Sequence, residues 1–434
     1  WKSQLFNGYA TYTGDIESSN LTLVAGYSYQ ESNFRDHYFE LGDFPDNSLD
    51  WSNAIENSYD FNEAGFIGAN SGASPDEKLI AFFGRANFTL NDAIYVMASV
   101  RREGSTKLGA DNQWGTFPAF GLGADLNNYL ALDGVDLLKV RVGYGVTGAL
   151  PRENGLSKQL RNIIYDTSTG AASSTLARAA NPDLKWEEKA ETNLGIEFST
   201  DRFDATLDLY TRDVTDFIIN RKVDVAEFGV DNRFENSGKL NTKGLEVNLK
   251  YDVVRKEDMT YNTGIVFSTY KSVLEEYVVN AETRGELGAP GQNSTRMILV
   301  RQGDPIGQIW GPVWTGEVDG SGSQIFEDVN GDGEIVVGSD NALAENVDFA
   351  VLGKGIPDFE IGWTNQLSIK NWEINAFFRG AFGHSLVNTY RAFFEPRVGS
   401  QGGYNFVNTS LADDRITNAE FSSHYVEKAD FFKL

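Results

Sequence analysis

Asp328-Val329-Asn330-Gly331-Asp332-Gly333-Glu334-Ile335 is the stretch of this 434-residue chain whose residue types and spacing point most directly to a chemistry. The D-x-N-x-D-G spacing is that of an EF-hand-type or dockerin-type calcium loop. Ca²⁺ takes about six to eight oxygen ligands, and alternate acidic side chains on a loop turned sharply at glycine can converge on one ion. Asp328, Asn330 and Asp332 would offer side-chain oxygens, and Glu334 a backbone carbonyl. Such a loop closes with an acidic residue at its twelfth position, but Ser339 stands there and Asp340 follows it, so Asp340 is the expected last ligand. The alternative is a solvated Asp/Gly turn. A bound Ca²⁺ would pin a long loop rather than take part in a reaction.

Other chemistry is sparse. There is no cysteine, which removes disulfides, thiolate metal sites and cysteine nucleophiles. His37, His384 and His424 are the only histidines and have no metal-ligand spacing. Acidic pairs such as Glu187/Glu188 and Asp204/Asp208 could in principle serve glycoside hydrolysis. Among 62 acidic residues, however, such pairs arise by chance, and the chain reads as a non-enzyme. The segments Gly285 to Gly291 and Gly399 to Gly403 lack the strand–helix context of a phosphate cradle and read as loops. Trp310, Trp314, Phe393, Phe394, Tyr404 and Phe406 fall in long loops, where rings stack on sugars or peptides, or on one another. A formal charge of −25 argues against nucleic acid as a partner, because phosphate would be repelled.

The elements that must position these residues are strands. From Glu191 to Asp213 apolar and polar residues alternate: Leu194, Ile196 and Phe198 oppose Asn193, Gly195 and Glu197. After a break at Thr200-Asp201-Arg202, Phe203, Ala205, Leu207 and Leu209 oppose Asp204, Thr206 and Asp208. Period-two alternation across a tight polar turn predicts a β-hairpin with one apolar and one wet face. The same pattern recurs over Leu21–Tyr29, in the hairpin of Phe83–Leu90 and Ile94–Arg102 about Asn91-Asp92, and over Leu138–Val146. It returns over Leu245–Tyr251, Tyr261–Tyr270, and Phe359–Ile369 with Trp372–Arg379 about Lys370-Asn371. About a dozen or more strands are expected. Between them lie polar segments, roughly 31–78, 147–190, 270–296, 302–358 and 380–430.

Ionised carboxylates on the wet face sit poorly in a packed sandwich core and well in an aqueous lumen. Tight turns alternating with long loops, and aromatics at 13%, fit an outer-membrane barrel with short periplasmic turns and long extracellular loops. No run of about 18 apolar residues exists, so no transmembrane helix is expected. A mean hydropathy of −0.34 is compatible with a membrane wall in which only every second residue meets lipid. The expected fold is therefore all-β, a transmembrane antiparallel β-barrel.

Four stretches make the pattern specific. Phe83-Gly84-Arg85-Ala86-Asn87-Phe88 leads to Arg101-Arg102-Glu103-Gly104-Ser105 and Trp114-Gly115-Thr116-Phe117-Pro118. Leu138-Lys139-Val140-Arg141-Val142-Gly143-Tyr144-Gly145-Val146-Thr147-Gly148 follows, and then Asn181-Pro182-Asp183-Leu184-Lys185-Trp186-Glu187. Last comes Asn236-Ser237-Gly238-Lys239-Leu240-Asn241-Thr242-Lys243-Gly244-Leu245-Glu246. In order and spacing these resemble the "FGRxNY…RxDGSS…FP", "LKLRxSYGxTG", "NPxLKWE" and "NxGxxxNKGxE" runs of the SusC/RagA-type TonB-dependent outer-membrane transporters, with Glu103 where Asp is usual.

The resemblance implies a 22-stranded barrel occluded by an N-terminal plug, in the outer membrane of a Gram-negative bacterium. It also implies a SusD-like surface lipoprotein as lid and energy supplied through TonB. Residues 1–434 are expected to be a partial barrel, with the plug and the final strands outside this chain. The implied function is active import of oligomeric nutrients, an oligosaccharide or a peptide. The alternatives are a siderophore or cobalamin receptor, a structural barrel in a surface or secretion assembly, and a soluble calcium-binding glycosidase or carbohydrate-binding module.

Overall fold

In a computed structural model of the chain, the described residues are 1–39, 44–46, 48–49, 69–73, 76–166, 169–288, 295–338, 343–397 and 406–434. Thirteen strands form one sheet whose hydrogen-bonded order follows the chain. They are β1 Lys2–Ile16, β2 Ser19–Asn33, β3 Glu77–Leu90, β4 Ile94–Ser105, β5 Trp114–Asp125, β6 Leu137–Ala149 and β7 Glu187–Ser199, continuing with β8 Phe203–Thr215, β9 Lys239–Lys256, β10 Met259–Glu276, β11 Phe359–Ile369, β12 Trp372–Phe382 and β13 Phe431–Lys433. No helix among the described residues is long and apolar enough to cross a membrane.

Short and long connections alternate. Residues 17–18, 91–93, 200–202, 257–258 and 370–371 are tight turns, and 126–136 holds a single helical turn. The intervening connections span 34–76, 106–113, 150–186, 216–238, 277–358 and 383–430. Asn91 and Asp92 both take positive φ, 50° and 52°, a conformation that Asn and Asp tolerate better than bulkier residues.

Every hairpin expected from alternation is present, and the structure adds strands that alternation did not reveal. Trp114–Asp125 carries Pro118 and three glycines, which blur the period. Lys2–Ile16 is interrupted by glycine and runs of polar residues. The polar stretches 270–296 and 302–358, expected as loops, are in good part folded. Ala281–Glu286, Arg296–Arg301, Gln308–Pro312 and Phe349–Lys354 form a four-stranded sheet of their own. Strands of five or six residues are too short to display a period against their flanking turns.

The chain divides into two compact units: residues 1–121, 145–190 and 215–237, and residues 122–144, 191–214 and 238–434. In the first, register places Leu21, Leu23, Ala25 and Tyr27 with Phe82, Gly84, Ala86 and Phe88 on one face, and Thr22, Ser28, Arg85 and Asn87 on the other. Phe82, Val96 and Val100 are about half exposed, and Tyr12, opposite Leu23 on the same face, more so. Apolar side chains left this open would be a liability in water and are at home against lipid. Phe6, Tyr27, Phe82 and Trp114 run across the strands with successive ring separations of 6.3, 5.2 and 6.4 Å, as an aromatic girdle does.

The same unit holds a dry core of Leu108, Phe117, Leu156, Leu184 and Trp186, flanked by Val146 and Phe234. All four motif stretches meet there. Trp186 lies edge-on to Phe117 at 5.2 Å and donates from Nε1 to the Gln113 carbonyl at 2.9 Å. A Cβ on Gly148 would stand 2.2 Å from Phe117, and one on Gly109 only 1.7 Å from the Pro182 carbonyl, so both positions require glycine. Asn181 donates to the Phe234 carbonyl at 2.7 Å, and the Lys185 amide donates to the Asn236 side chain at 2.8 Å. The signature residues are thus a clamp that fastens connections to the strand ends. Replacing Trp186 with alanine should remove about 3–5 kcal/mol from this core. The heat-modifiable band of the folded barrel should then collapse at a lower temperature in unboiled electrophoresis. An unchanged transition would rule out the clamp.

Candidate functional site

In the second unit the wet face is laced with ion pairs. Arg141 on β6 donates to Glu197 at 2.9 Å, to Asn193 at 3.1 Å and to both Asp208 oxygens at 2.8 and 2.9 Å. Arg212 pairs with Glu191 at 2.7 Å. Asp204, the other member of the acidic pair noted in the sequence, accepts from Ser199 at 2.5 Å instead. These two carboxylates therefore have separate partners. The wall they build is hydrophilic, near charge balance and cross-linked between strands, which suits an aqueous passage.

The long connections build a second core. Leu287, Met297, Ile309, Ala392, Phe421 and Tyr425 pack together, drawn from residues more than a hundred apart in sequence. Beside it the buried Arg391 guanidinium, on the short helix Thr389–Phe394, donates to Glu395 at 2.7 Å and Glu427 at 2.8 Å. It also reaches the carbonyls of His424 and Leu411 and lies 3.2 Å from His424 Nε2. Burial, reinforced by that guanidinium, holds the His424 imidazole below its ordinary pKa, and because a guanidinium only donates, Nε2 is the acceptor in that contact. A buried charge that is fully hydrogen-bonded stays buried, and removal of Arg391 would leave two carboxylates uncompensated. The aromatics flagged in the sequence largely pack on other loop residues. Trp314 is edge-on to His424 at 4.7 Å, Trp310 lies 6.1 Å from Phe349, and Phe393 lies 4.5 Å from Phe394. Phe406 is half exposed. Tyr404 and Gly399 to Gly403 lie outside the described residues, as do Gly291 and neighbouring residues of the earlier glycine-rich segment.

Asp328, Asn330, Asp332 and Glu334 are all exposed, on the connection between strands Gln324–Phe326 and Phe349–Lys354. Asp328 accepts from the Gly331 and Gly333 amides at 2.6 and 2.9 Å, Asn330 from the Asp332 amide and Asp332 from the Glu334 amide, both at 2.9 Å. Asp340, expected as the closing ligand, lies outside the described residues, and so does Ser339. Among the described residues no three His, Cys, Asp or Glu side chains are grouped to hold a metal, and no Lys or Arg ion-pairs with Asp328, Asp332 or Glu334.

The residue that organises this loop is Asp348, which local spacing could not reveal because it lies twenty positions from Asp328. Fully buried, it accepts from the amides of Val336 at 2.7 Å, Val329 at 2.8 Å and Asn330 at 3.3 Å, while its own amide donates to the Val336 carbonyl at 2.9 Å. The Val336 amide above all, with Asn330 and Val329, holds its carboxyl below the ordinary aspartate value, against the opposing effect of burial.

The comparisons with known proteins agree with this architecture. Residues 1–412 match the family described as TonB dependent receptor-like, beta-barrel. The chain belongs to that family. TonB-dependent receptor P3 of Formosa agariphila is 24% identical over 409 residues, which cover 88% of this chain and 39% of that protein. TonB-dependent receptor SusC of Bacteroides thetaiotaomicron is 22% identical over 401 residues, covering 87% and 37%. Among solved structures, the RagAB peptide transporter superposes with a TM-score of 0.80 at 20% identity, over 99% of this chain and 48% of that one. The SusC/RagA-type resemblance read from the four motifs is borne out, as is the barrel fold. The protein is a TonB-dependent outer-membrane receptor segment of a Gram-negative bacterium, and its family is one of receptors rather than enzymes. The chain spans less than half the length of these relatives.

The Asp348 carboxylate yields a pH expectation. Its folded pKa is depressed, so its contribution is complete above the unfolded value of about 3.9 and fades only as pH falls through the lower folded value. Hydrogen exchange at Val329 and Val336 should stay slow down to about pH 4, and Asp348→Asn should speed it about tenfold or more at neutral pH. Protection fading already between about pH 5 and 4 would contradict this role.

Proposed function

We propose that this chain is the working wall and loop platform of an active importer for oligomeric nutrients, an oligosaccharide or a peptide. On this reading a SusD-like surface lipoprotein closes over the long connections, and TonB supplies the energy through a region outside this chain. The observation that carries the reading is the folded loop assembly. The described residues of connections 277–358 and 383–430 share a hydrophobic core, and 383–430 adds a buried ion cluster, packing that would give a lid a surface to seat on. The ion-paired wet face supports it, because a cargo too large for a porin needs a polar, self-compensated passage.

Its test is mass spectrometry of the whole detergent-solubilised complex from outer membranes. A stoichiometric lipoprotein together with bound oligosaccharide or peptide is expected. A barrel recovered alone, with a metal chelate, or within a secretion assembly would overturn the importer reading.

We further propose that the loop at Asp328, Asn330, Asp332 and Glu334 binds Ca²⁺, with Asp340 as the last ligand. Its uncompensated carboxylates and the turns at Gly331 and Gly333, φ 78° and 87°, suit an oxygen-donor cage. Calorimetric titration of the whole protein with Ca²⁺ should show one site that the D328N/D332N double variant abolishes. An identical titration for the variant would mean a solvated turn.

A further inference from the structure

A cavity of about 980 Å³ lies where β9 and β10 run out into the long connections. Four lysines line it: Lys243, Lys271, Lys354 and Lys428. Its two aspartates already have partners. Asp358 pairs with Lys354, and Asp430 accepts from the Gly383 amide at 2.6 Å and the His384 amide at 3.3 Å. Among the described residues, no carboxylate lies within ion-pair distance of Lys243, Lys271 or Lys428, so the cavity concentrates positive charge in a chain of net charge −25. Lys243 and Lys271 stand directly opposite one another across the strand pair. Like charges so placed repel, and an anion between them relieves that repulsion. Two further lining atoms, Gln308 Oε1 and His384 Nδ1, are buried with no hydrogen-bond partner. A ligand that carries hydroxyl groups beside its anionic group would satisfy them.

Register says which face the two lysines occupy. Lys243 shares a face with Leu245, Val247 and Leu249, and Lys271 with Thr269, Phe267 and Ile265. The face continues onto β11 as Ile361 and Trp363. This is the apolar face, which meets lipid in an outer-membrane barrel. Phe267, Phe359 and Phe382 stack across it at 5.7 and 5.0 Å, as an aromatic girdle. From Phe267 to Lys271 is two steps along that face, so the lysine pair sits just past the girdle. The chain there leads into its long connections, the external side of such a barrel.

We propose that Lys243 and Lys271, with Lys354 and Lys428, bind the phosphorylated, hydroxyl-rich headgroup of an outer-leaflet glycolipid. An aromatic rim holds the acyl chains below, and a basic cavity takes the phosphate above, the usual division of labour at a headgroup site. This goes beyond import: it is a lipid contact on the outside of the wall, independent of cargo.

The test uses the whole protein extracted from outer membranes in mild detergent, with retained glycolipid counted by native mass spectrometry. The K243Q/K271Q double variant should retain about tenfold less phosphorylated glycolipid, or lower still, with its heat-modifiable band intact. Lys250→Gln, on the polar face of β9, should retain the wild-type amount. Should the double variant not fold, Lys428→Gln alone should show the same direction of loss. Equal retention by wild type and lysine variants would overturn the proposal, as would equal retention of a dephosphorylated glycolipid. Displacement of the lipid by an equal concentration of inorganic phosphate would mark a free-anion site and overturn the lipid assignment.

Discussion

Lipid offers no hydrogen bonds, and that constraint organises the rest of the structure. Each backbone amide and carbonyl that crosses the membrane must find its partner inside the protein, and here long paired strands supply those partners. The pairs β1–β2, β2–β3 and β9–β10 run over many consecutive residues with few register breaks. Once strands pair this way, the pleat divides their side chains between two solvents. Leu, Val, Phe and Tyr go to one face, while Arg141, Glu197, Asp208 and their kind go to the other.

That division sets the electrostatics. Ions confined to the wet face of a curtain of strands lie within reach of their neighbours across the sheet, so they neutralise one another laterally, as Arg141 and Arg212 do. The connections follow different rules. Freed from the pleat, the described residues of 277–358 and 383–430 pack as a soluble protein does, around a dry core with a buried arginine whose carboxylate partners come from the same segment. A platform built this way is stiff enough to present one surface, whereas loops held only by their ends would sample many. The acidic loop is likewise tied down by a single buried carboxylate, Asp348, in addition to the local turns its exposed acids cap.

The motif stretches have a plain physical meaning in this setting. Asn181, Leu184, Trp186, Asn236 and Phe117 pack and hydrogen-bond to one another's segments. They close the seam where strand ends meet connections, with backbone hydrogen bonds satisfied by Asn side chains and close approaches that admit only glycine. Family membership is therefore recorded in the residues of the clamp.

The hairpins from Glu191 to Asp213 and from Phe359 to Arg379, the two-faced character of the wall and the family were all legible in the linear chain. Period-two alternation and turn chemistry act over a few residues, so a linear chain displays them. It also displayed the acidic loop, as a local spacing. It took the folded chain to show that Asp348 clips that loop, that Arg391 gathers Glu395 and Glu427, and that Lys243, Lys271, Lys354 and Lys428 share a cavity. These groupings reach across as many as nearly two hundred positions, brought together by strand register and by the way the connections fold back. Strands with blurred periods, Lys2–Ile16 and Trp114–Asp125, were settled in the same way, by the neighbours that pair with them and not by their own pattern.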